Sequence, residues 1–194
     1  MNQPEHPPEL DETLRKIGRN VLYFQRMEAM LKFLISRSNL EGTASTLRSN
    51  HEKAIDAVSR HTLGNLVKGF FDTVHSKRPM EPEYTEIEET VISSSFRIEA
   101  DPAYIEQRRA ALSMVVEERN LLIHQLLGQL DQTSPESCRK LSALLDAQEE
   151  KMWPEYEILW SLVKKFQTCR KMVAEAMKEE LANGGKTKSG SSAD

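Results

Sequence analysis

The chain has 194 residues, of which 39% are hydrophobic and 29% are charged, with a formal net charge of −4. This composition favours one folded domain with a sizeable core and excludes a chain that is disordered throughout. The sequence has no apolar run of about 18 residues and no signal-peptide pattern, so we expect a cytoplasmic protein without membrane contact. The negative charge argues against non-specific coating of nucleic acid, because such binding depends on neutralised phosphates.

A long first helix is predicted after a flexible, proline-containing lead-in at residues 1–9, and a single helical domain is predicted over 10–183. From Leu10 to about Arg37, apolar residues recur at helical spacing. Glu28 lies beside this apolar stripe, where it either faces another helix or forms an ordinary exposed pair with Lys32 four positions later.

The middle of the chain predicts shorter elements. A polar loop is predicted over 38–46, a second helix over about 47–60 and a third from Leu63 to Val74. Pro79 and Pro82 then predict a break, because proline disfavours helix both at its own position and at the residue before it. Segment 84–99 has β-branched residues in loose alternation, which predicts an extended arm or a small hairpin.

The stretch from Asp101 to Leu130 predicts one long amphipathic helix, with Asp101 as its N-cap and Pro102 at its first position. Its apolar residues form one stripe at about 100° per residue. Arg119 falls within that stripe. Because a guanidinium keeps its proton inside a protein, it needs a carboxylate, a phosphate or a water-filled cleft beside it.

Three polar residues accompany Arg119 on this helix. His124 lies five positions later, about 140° around an α-helix, and Asn120 lies between the two, so that Arg119, Asn120 and His124 can line one groove. Glu117 begins an adjacent polar row with Asn120 and His124. The alternative is structural: a long Arg that extends between helices to solvent, and an interfacial His bonded to a neighbour.

The C-terminal part predicts another helix. Ser134 is its expected N-cap, and the helical pattern runs from Pro135 to residue 183, with Pro154 predicted to divide or kink it and 155–183 as a C-terminal helix. Trp153, Tyr156 and Trp160 either stack RNA bases or belong to the core or an interface. Residues 184–194 predict a disordered tail. We expect the two cysteines, Cys138 and Cys169, to be buried free thiols.

The stretch from Arg119 to His124, RNLLIH, resembles the diagnostic motif of the HEPN superfamily, in which four to six residues separate an Arg from a His and a polar residue directly follows the Arg. The resemblance implies an all-α, HEPN-like helical bundle, and the patterns described above add two long antiparallel helices with matched apolar stripes, a short extended insertion and a C-terminal helical extension. We expect the antiparallel pair to be the first long helix and the motif helix.

The resemblance also implies a function, a metal-independent endoribonuclease that acts as a toxin or in antiphage defence. Arg119, Asn120 and His124 would be its catalytic residues. Glu117 and Glu28 would support them, with Glu28 paired to Arg119. Some toxins of this family carry, two residues after the His, a Tyr that a nucleotidyltransferase antitoxin modifies. Here that position is Leu126, although a cognate antitoxin of that type is still a possible partner.

RNA cleavage without a metal needs a base for the 2′-hydroxyl, an acid for the 5′-oxygen and a cation for the phosphorane. Histidine can act as base or acid, and an Arg fork suits the phosphorane oxygens. One motif supplies one His, so we predict a homodimer in which a twofold contact supplies the second. The sequence offers no motif for a metal site or a cofactor.

Two other functions are compatible with the sequence. A non-catalytic HEPN-like module, such as an antitoxin, a nucleotide-binding protein or a scaffold, would keep the fold without cleavage. A helical adaptor would use Arg119 as a structural interface residue. The distinguishing observation is whether Arg119 and His124 face an open, basic groove at a dimer axis or pack against carboxylates.

Overall fold

The computed structural model describes residues 7–75 and 91–184, with side chains as far as residue 179. The elements are, in order, α1 (Pro8–Ser38), β1 (Asn39–Thr43), α2 (Leu47–Ser59), α3 (Leu63–Val74), β2 (Val91–Ser95), α4 (Pro102–Leu121) and α5 (Pro135–Gly184). The predicted all-α class is confirmed. The predictions for most of the lead-in, for the break at 79–82 and for the tail after residue 184 lie outside the described residues.

The two longest helices, α1 and α5, pack side by side. Thr13 of α1 donates a hydrogen bond from Oγ1 to the Cys138 carbonyl near the start of α5, at 2.9 Å. Further along both helices, the rings of Phe33 and Phe166 meet edge to face with centroids 5.5 Å apart. Because contacts advance in the same direction along both helices, α1 and α5 are parallel.

This arrangement differs from the expected central pair of α1 and the motif helix. The motif helix is α4, and it packs against α3 and, antiparallel, against α5. The physical reason is the length of the apolar stripes. Buried residues continue along α5 from Cys138 to Phe166, whereas the buried apolar residues of α4 and its continuation are Leu112, Val115 and Leu122. Only the α5 stripe is long enough to cover α1.

The core lies where α1, α3, α4 and α5 meet. Its members are apolar side chains that are almost completely removed from water, and they include Met27, Leu31, Leu34, Leu66, Phe70, Leu122, Leu145, Met152 and Leu159. Each such side chain contributes about 1.5–3 kcal/mol on burial. This core fixes the first part of α5 against α1 and thereby sets the position of α4.

A two-stranded antiparallel sheet joins the end of α1 to the segment before α4. β1 pairs with β2 in the register Asn39↔Ser95 to Thr43↔Val91. Within the arm predicted over 84–99, Val91–Ser95 is therefore a strand and 84–90 lie outside the described residues, whereas the loop predicted over 38–46 is incorrect for 39–43. β1 escaped prediction because its residues, NLEGT, show neither apolar alternation nor β-branched enrichment, so its pairing is set by the distant β2.

Pro154 does not divide α5, which is assigned as one helix from Pro135 to Gly184. Proline removes the hydrogen bond to the carbonyl four residues earlier, here that of Glu150. Both Pro154 and Glu150 lie on the exposed side of α5. A water molecule can therefore donate a hydrogen bond to the Glu150 carbonyl in place of the missing N–H, and the helix continues.

Candidate functional site

The motif helix begins as predicted but ends differently. The Asp101 side chain caps α4 by accepting a hydrogen bond from the Ala103 N–H at 2.7 Å. After Leu121, the chain forms a π-helical turn over Leu122–Leu126 and then a 3₁₀ turn over Leu127–Gln129, instead of one helix to Leu130. A π turn is closed by i→i+5 hydrogen bonds, and such turns occur frequently at functional sites.

The π turn changes the relation between Arg119 and His124. Because a wider turn takes more residues, a spacing of five residues comes closer to one complete turn than it does in an α-helix. His124 is exposed on this turn. Because Arg119 to Leu121 are still α-helical, only the last part of this spacing is widened, and the angle between the two motif residues is somewhat smaller than the 140° of an α-helix.

Arg119 is half-buried, and its Nη1 donates a hydrogen bond to Asn120 Oδ1 at 3.1 Å. In the part of the chain that the structure describes, no carboxylate forms a salt bridge with Arg119. A guanidinium has five N–H donors. Within these residues Arg119 is therefore not packed against a carboxylate, and most of its donors have no hydrogen-bond partner among them.

The other predicted site residues lie apart from this contact. His124 and Glu117 are both exposed, and within residues 7–75 and 91–179 neither forms a hydrogen bond or salt bridge with Arg119. Glu28 forms an ion pair with Lys32 at 2.8 Å, and Lys32 also donates to the Ser59 carbonyl. Of the two alternatives for Glu28, the pair with Lys32 is therefore formed and the pair with Arg119 is not, and through Lys32 Glu28 helps to join α1 to the end of α2.

Of the two acidic residues that precede Arg119, Glu118 and not Glu117 contacts another helix within the described residues. It is 8% exposed. Gln148 on α5 donates from Nε2 to the Glu118 carbonyl at 2.8 Å and to its Oε2 at 3.2 Å. Lys151, one turn further along α5, forms an ion pair with Glu118 Oε1. The residue that precedes Arg119 is thus held on α5.

This contact extends to α1 through a buried polar network, which we define as Asn20, Gln148 and Glu118. Asn20 is fully buried and donates from Nδ2 to the Leu145 carbonyl at 2.8 Å and to Gln148 Oε1 at 3.1 Å. The network links α1, α5 and α4 in one chain of hydrogen bonds. Sequence reasoning missed it, although Asn20 lies at a core position in the spacing of α1.

A second contact between α4 and α5 is the ion pair of Arg108 and Glu155, with Nη1 and Oε1 2.6 Å apart. Both side chains are largely buried. Burial raises the pKa of Glu155 above its usual value, while the guanidinium of Arg108 opposes this shift. The two contacts, one near each end of α4, fix the helix against α5 along most of its length.

A cleft of about 320 Å³ lies directly after the motif, between the 3₁₀ turn and the start of α5. Leu126, Leu130 and Leu144 form its apolar part, and Ser134 and Lys140 are among its polar lining residues. Large apolar side chains are also exposed around the motif, since Ile123 and Leu127 are each 36% exposed. The end of the motif helix therefore presents both a cleft and an apolar surface.

Of the three aromatic residues considered for RNA stacking, Trp153 and Tyr156 pack against α1. Trp153 stacks on Tyr156 at 5.4 Å, and Tyr23 of α1 contacts both rings, so this group belongs to the α1–α5 interface. Trp160 is 47% exposed.

The prediction of buried thiols is confirmed for Cys138 and wrong for Cys169, which is exposed.

Two further findings, on membranes and on metal ions, concern the described ranges. None of the helices there is long and apolar enough to cross a membrane. The same ranges contain no group of three or more His, Cys, Asp or Glu side chains arranged to hold a metal ion. Comparisons of the chain with protein-family models, with curated proteins and with solved structures found no match.

Proposed function

We propose that the chain is a metal-independent endoribonuclease of the HEPN type, a toxin or antiphage protein that cleaves RNA through a composite site at a homodimer interface. The observation that carries the proposal is the state of Arg119. It is half-buried and bonded to Asn120, without a salt bridge in the described part of the chain, and it lies at the end of α4, just before the π turn that carries the exposed His124.

The chemistry assigned to these residues follows from their types. Histidine accepts the proton of the 2′-hydroxyl or donates one to the leaving 5′-oxygen, and the guanidinium binds the phosphorane oxygens. The 2′-oxygen attacks phosphorus as the bond to the 5′-oxygen breaks, which gives a 2′,3′-cyclic phosphate and a 5′-hydroxyl. The hydrogen bond between Asn120 and Arg119 supports an orienting role for Asn120.

A dimer supplies the second histidine. The exposed Ile123 and Leu127 flank His124. An apolar surface around this histidine is suited to a twofold contact, in which two copies of the same surface meet. A twofold axis at this surface would bring two His124 side chains to one RNA strand. A cognate antitoxin, for example a nucleotidyltransferase-type protein, would be the natural partner that restrains the enzyme.

The test is cleavage of total RNA and tRNA by the purified full chain in the presence of EDTA. We expect cleavage with cyclic-phosphate products, and we expect His124→Ala to reduce the rate by about 10²- to 10⁴-fold with little change in melting temperature. His61→Ala is the matched control, because His61 is also an exposed histidine but lies outside the motif. It should cleave like wild type.

Arg119→Lys gives the sharper result, because it keeps the charge and loses the planar fork. We expect a loss of about 10²- to 10³-fold in rate, whereas Arg48→Lys, an exposed arginine on α2, should leave the rate unchanged. Normal cleavage by Arg119→Lys would overturn the assigned role of Arg119. No cleavage of any RNA by wild type would overturn the ribonuclease and favour the non-catalytic helical module.

A further inference from the structure

A second cavity, of about 300 Å³, lies at the other end of the bundle, where the end of α1, the two-stranded sheet, α2 and the second half of α5 meet. Its interior is apolar, formed by Ile92, Phe96, Phe166, Val173 and Met177 among others. Phe166 is buried, whereas Val173 and Met177 are 53% and 45% exposed. The volume is at the lower end of the range of small-molecule sites, about 300–1,000 Å³.

The charged groups of this cavity are all basic. Arg37 from α1 and Arg170 from α5 line it together with His51 from α2, and no acidic residue is among its lining residues. Over the described ranges, neither arginine forms a salt bridge. The Arg37 guanidinium lies over the Phe33 ring, 4.6 Å from its centroid. Two guanidinium groups thus stand beside an apolar interior without a neutralising carboxylate.

The proton equilibria agree with this unbalanced charge. Burial, and then the nearby charge of Arg170, lower the pKa of Arg37. Burial also lowers the pKa of His51, assisted by Arg37 and Arg170 and opposed only by Glu52. Arg37 therefore feels the positive charge of Arg170, and His51 feels that of both arginines, so an anion placed between them would relieve the repulsion.

We propose that this cavity binds a small amphipathic anion, with a carboxylate or phosphate-monoester head at Arg37 and Arg170 and an apolar body between Ile92, Phe96 and Phe166. An Arg pair suits such heads because the guanidinium fork matches their oxygens. The interior has few polar groups, so it does not match the hydrogen-bonding edges of a nucleobase. The site is separate from the motif at Arg119 and does not depend on RNA cleavage.

Cys169 provides a direct reporter, because it lines this cavity and is exposed, whereas Cys138 is buried elsewhere. The experiment measures the rate at which iodoacetamide alkylates Cys169 in the full chain, read by mass spectrometry, with decanoate, decyl phosphate or decanol added. We expect decanoate and decyl phosphate to slow the reaction about tenfold at ten times their Kd, because only the empty cavity reacts. Decanol, which lacks the anion, should protect much less.

Variants test the assigned head group. In Arg37→Gln/Arg170→Gln, decanoate should bind at least about tenfold more weakly, since each charge-assisted hydrogen bond is among the stronger ones. Arg139→Gln is the control, an exposed arginine near the start of α5. Melting temperatures check that both variants are folded.

Three results would overturn the proposal. Equal protection by decanol and decanoate in wild type would mean that the charge is irrelevant. Undiminished protection in the double variant would remove the arginines from the site. Protection that increases with protein concentration and ignores every added ligand would mean that a second copy covers the cavity.

Discussion

Replacing Gln148 by Leu tests whether the buried polar network holds the motif helix. Gln148 is 2% exposed and makes three hydrogen bonds, to the carbonyl and Oε2 of Glu118 and from Nδ2 of Asn20. Leucine has a similar size but can form none of them. The substitution therefore removes the link between α1, α5 and α4 with little change in packing volume.

The magnitude follows from what each partner keeps. The bond to the Glu118 carboxylate contributes about 1.5–3 kcal/mol and each neutral bond about 1 kcal/mol. Asn20 retains the Leu145 carbonyl, and the Glu118 carboxylate retains Lys151, so neither group is fully orphaned. Leucine buries about two more carbon groups than glutamine, which returns about 1–2 kcal/mol at about 0.8 kcal/mol per group. We therefore expect the free energy of unfolding to fall by about 1.5–4 kcal/mol.

Urea unfolding followed by circular dichroism at 222 nm measures this change. The matched control is Gln167→Leu, which makes the same replacement at an exposed position of the same helix. Its free energy of unfolding should remain within about 0.5 kcal/mol of wild type. If Gln148→Leu is also within that range, the three hydrogen bonds do not stabilise the helix packing, and the argument for the network fails.

Three other predictions concern the surface, the backbone and the pH. Ile123→Glu should shift the proposed homodimer to monomer in light scattering while Leu22→Glu, another exposed apolar residue, should not; a dimeric Ile123→Glu would place the interface elsewhere. Gly42→Ala should lower the free energy of unfolding by about 1–3 kcal/mol in thermal unfolding, because the new Cβ would lie 3.0 Å from the backbone of Leu47 at the start of α2. Gly18→Ala, where the Cβ would meet open space, should raise the free energy of unfolding by about 0.5–1 kcal/mol. Burial raises the pKa of Glu155 above its usual value of 4.5, so its contribution to stability is complete below that pH and is lost as pH rises through the folded pKa. The free energy of unfolding of wild type relative to Glu155→Gln should therefore fall as pH rises above 4.5, and a rise would contradict it.

The parts of the fold that were predictable depend on local chemistry. The start of α4 follows from Asp101 and Pro102, and the start of α5 from Pro135, because a cap and a proline act within one turn. The partner of each helix was not predictable in the same way. The pairing of α1 with α5 and of β1 with β2 joins residues far apart in sequence, and the apolar spacing of α1 is the same whichever helix covers it.

The candidate site shows the same division. The sequence predicts that Arg119, Asn120 and His124 line one groove, and of these Arg119 and Asn120 are hydrogen-bonded. Which of the two adjacent acids faces the bundle depends on the rotation of α4 about its axis, and that rotation is fixed by Gln148 on another helix. The π turn after Leu121 has no simple sequence signature. The angle between Arg119 and His124 was therefore predicted for a regular α-helix.

The side-by-side packing of the first and last helices has a consequence for how the protein folds. Thr13 and Cys138, which touch, are 125 residues apart in sequence. Contacts of such separation slow folding, because the chain between them must be ordered or closed first. During synthesis at about 5–20 residues per second, the apolar face of α1 waits about 6–25 s for the start of α5. N-terminal fragments that stop before α5 should therefore aggregate or recruit chaperones, even though α1 itself is a well-formed helix.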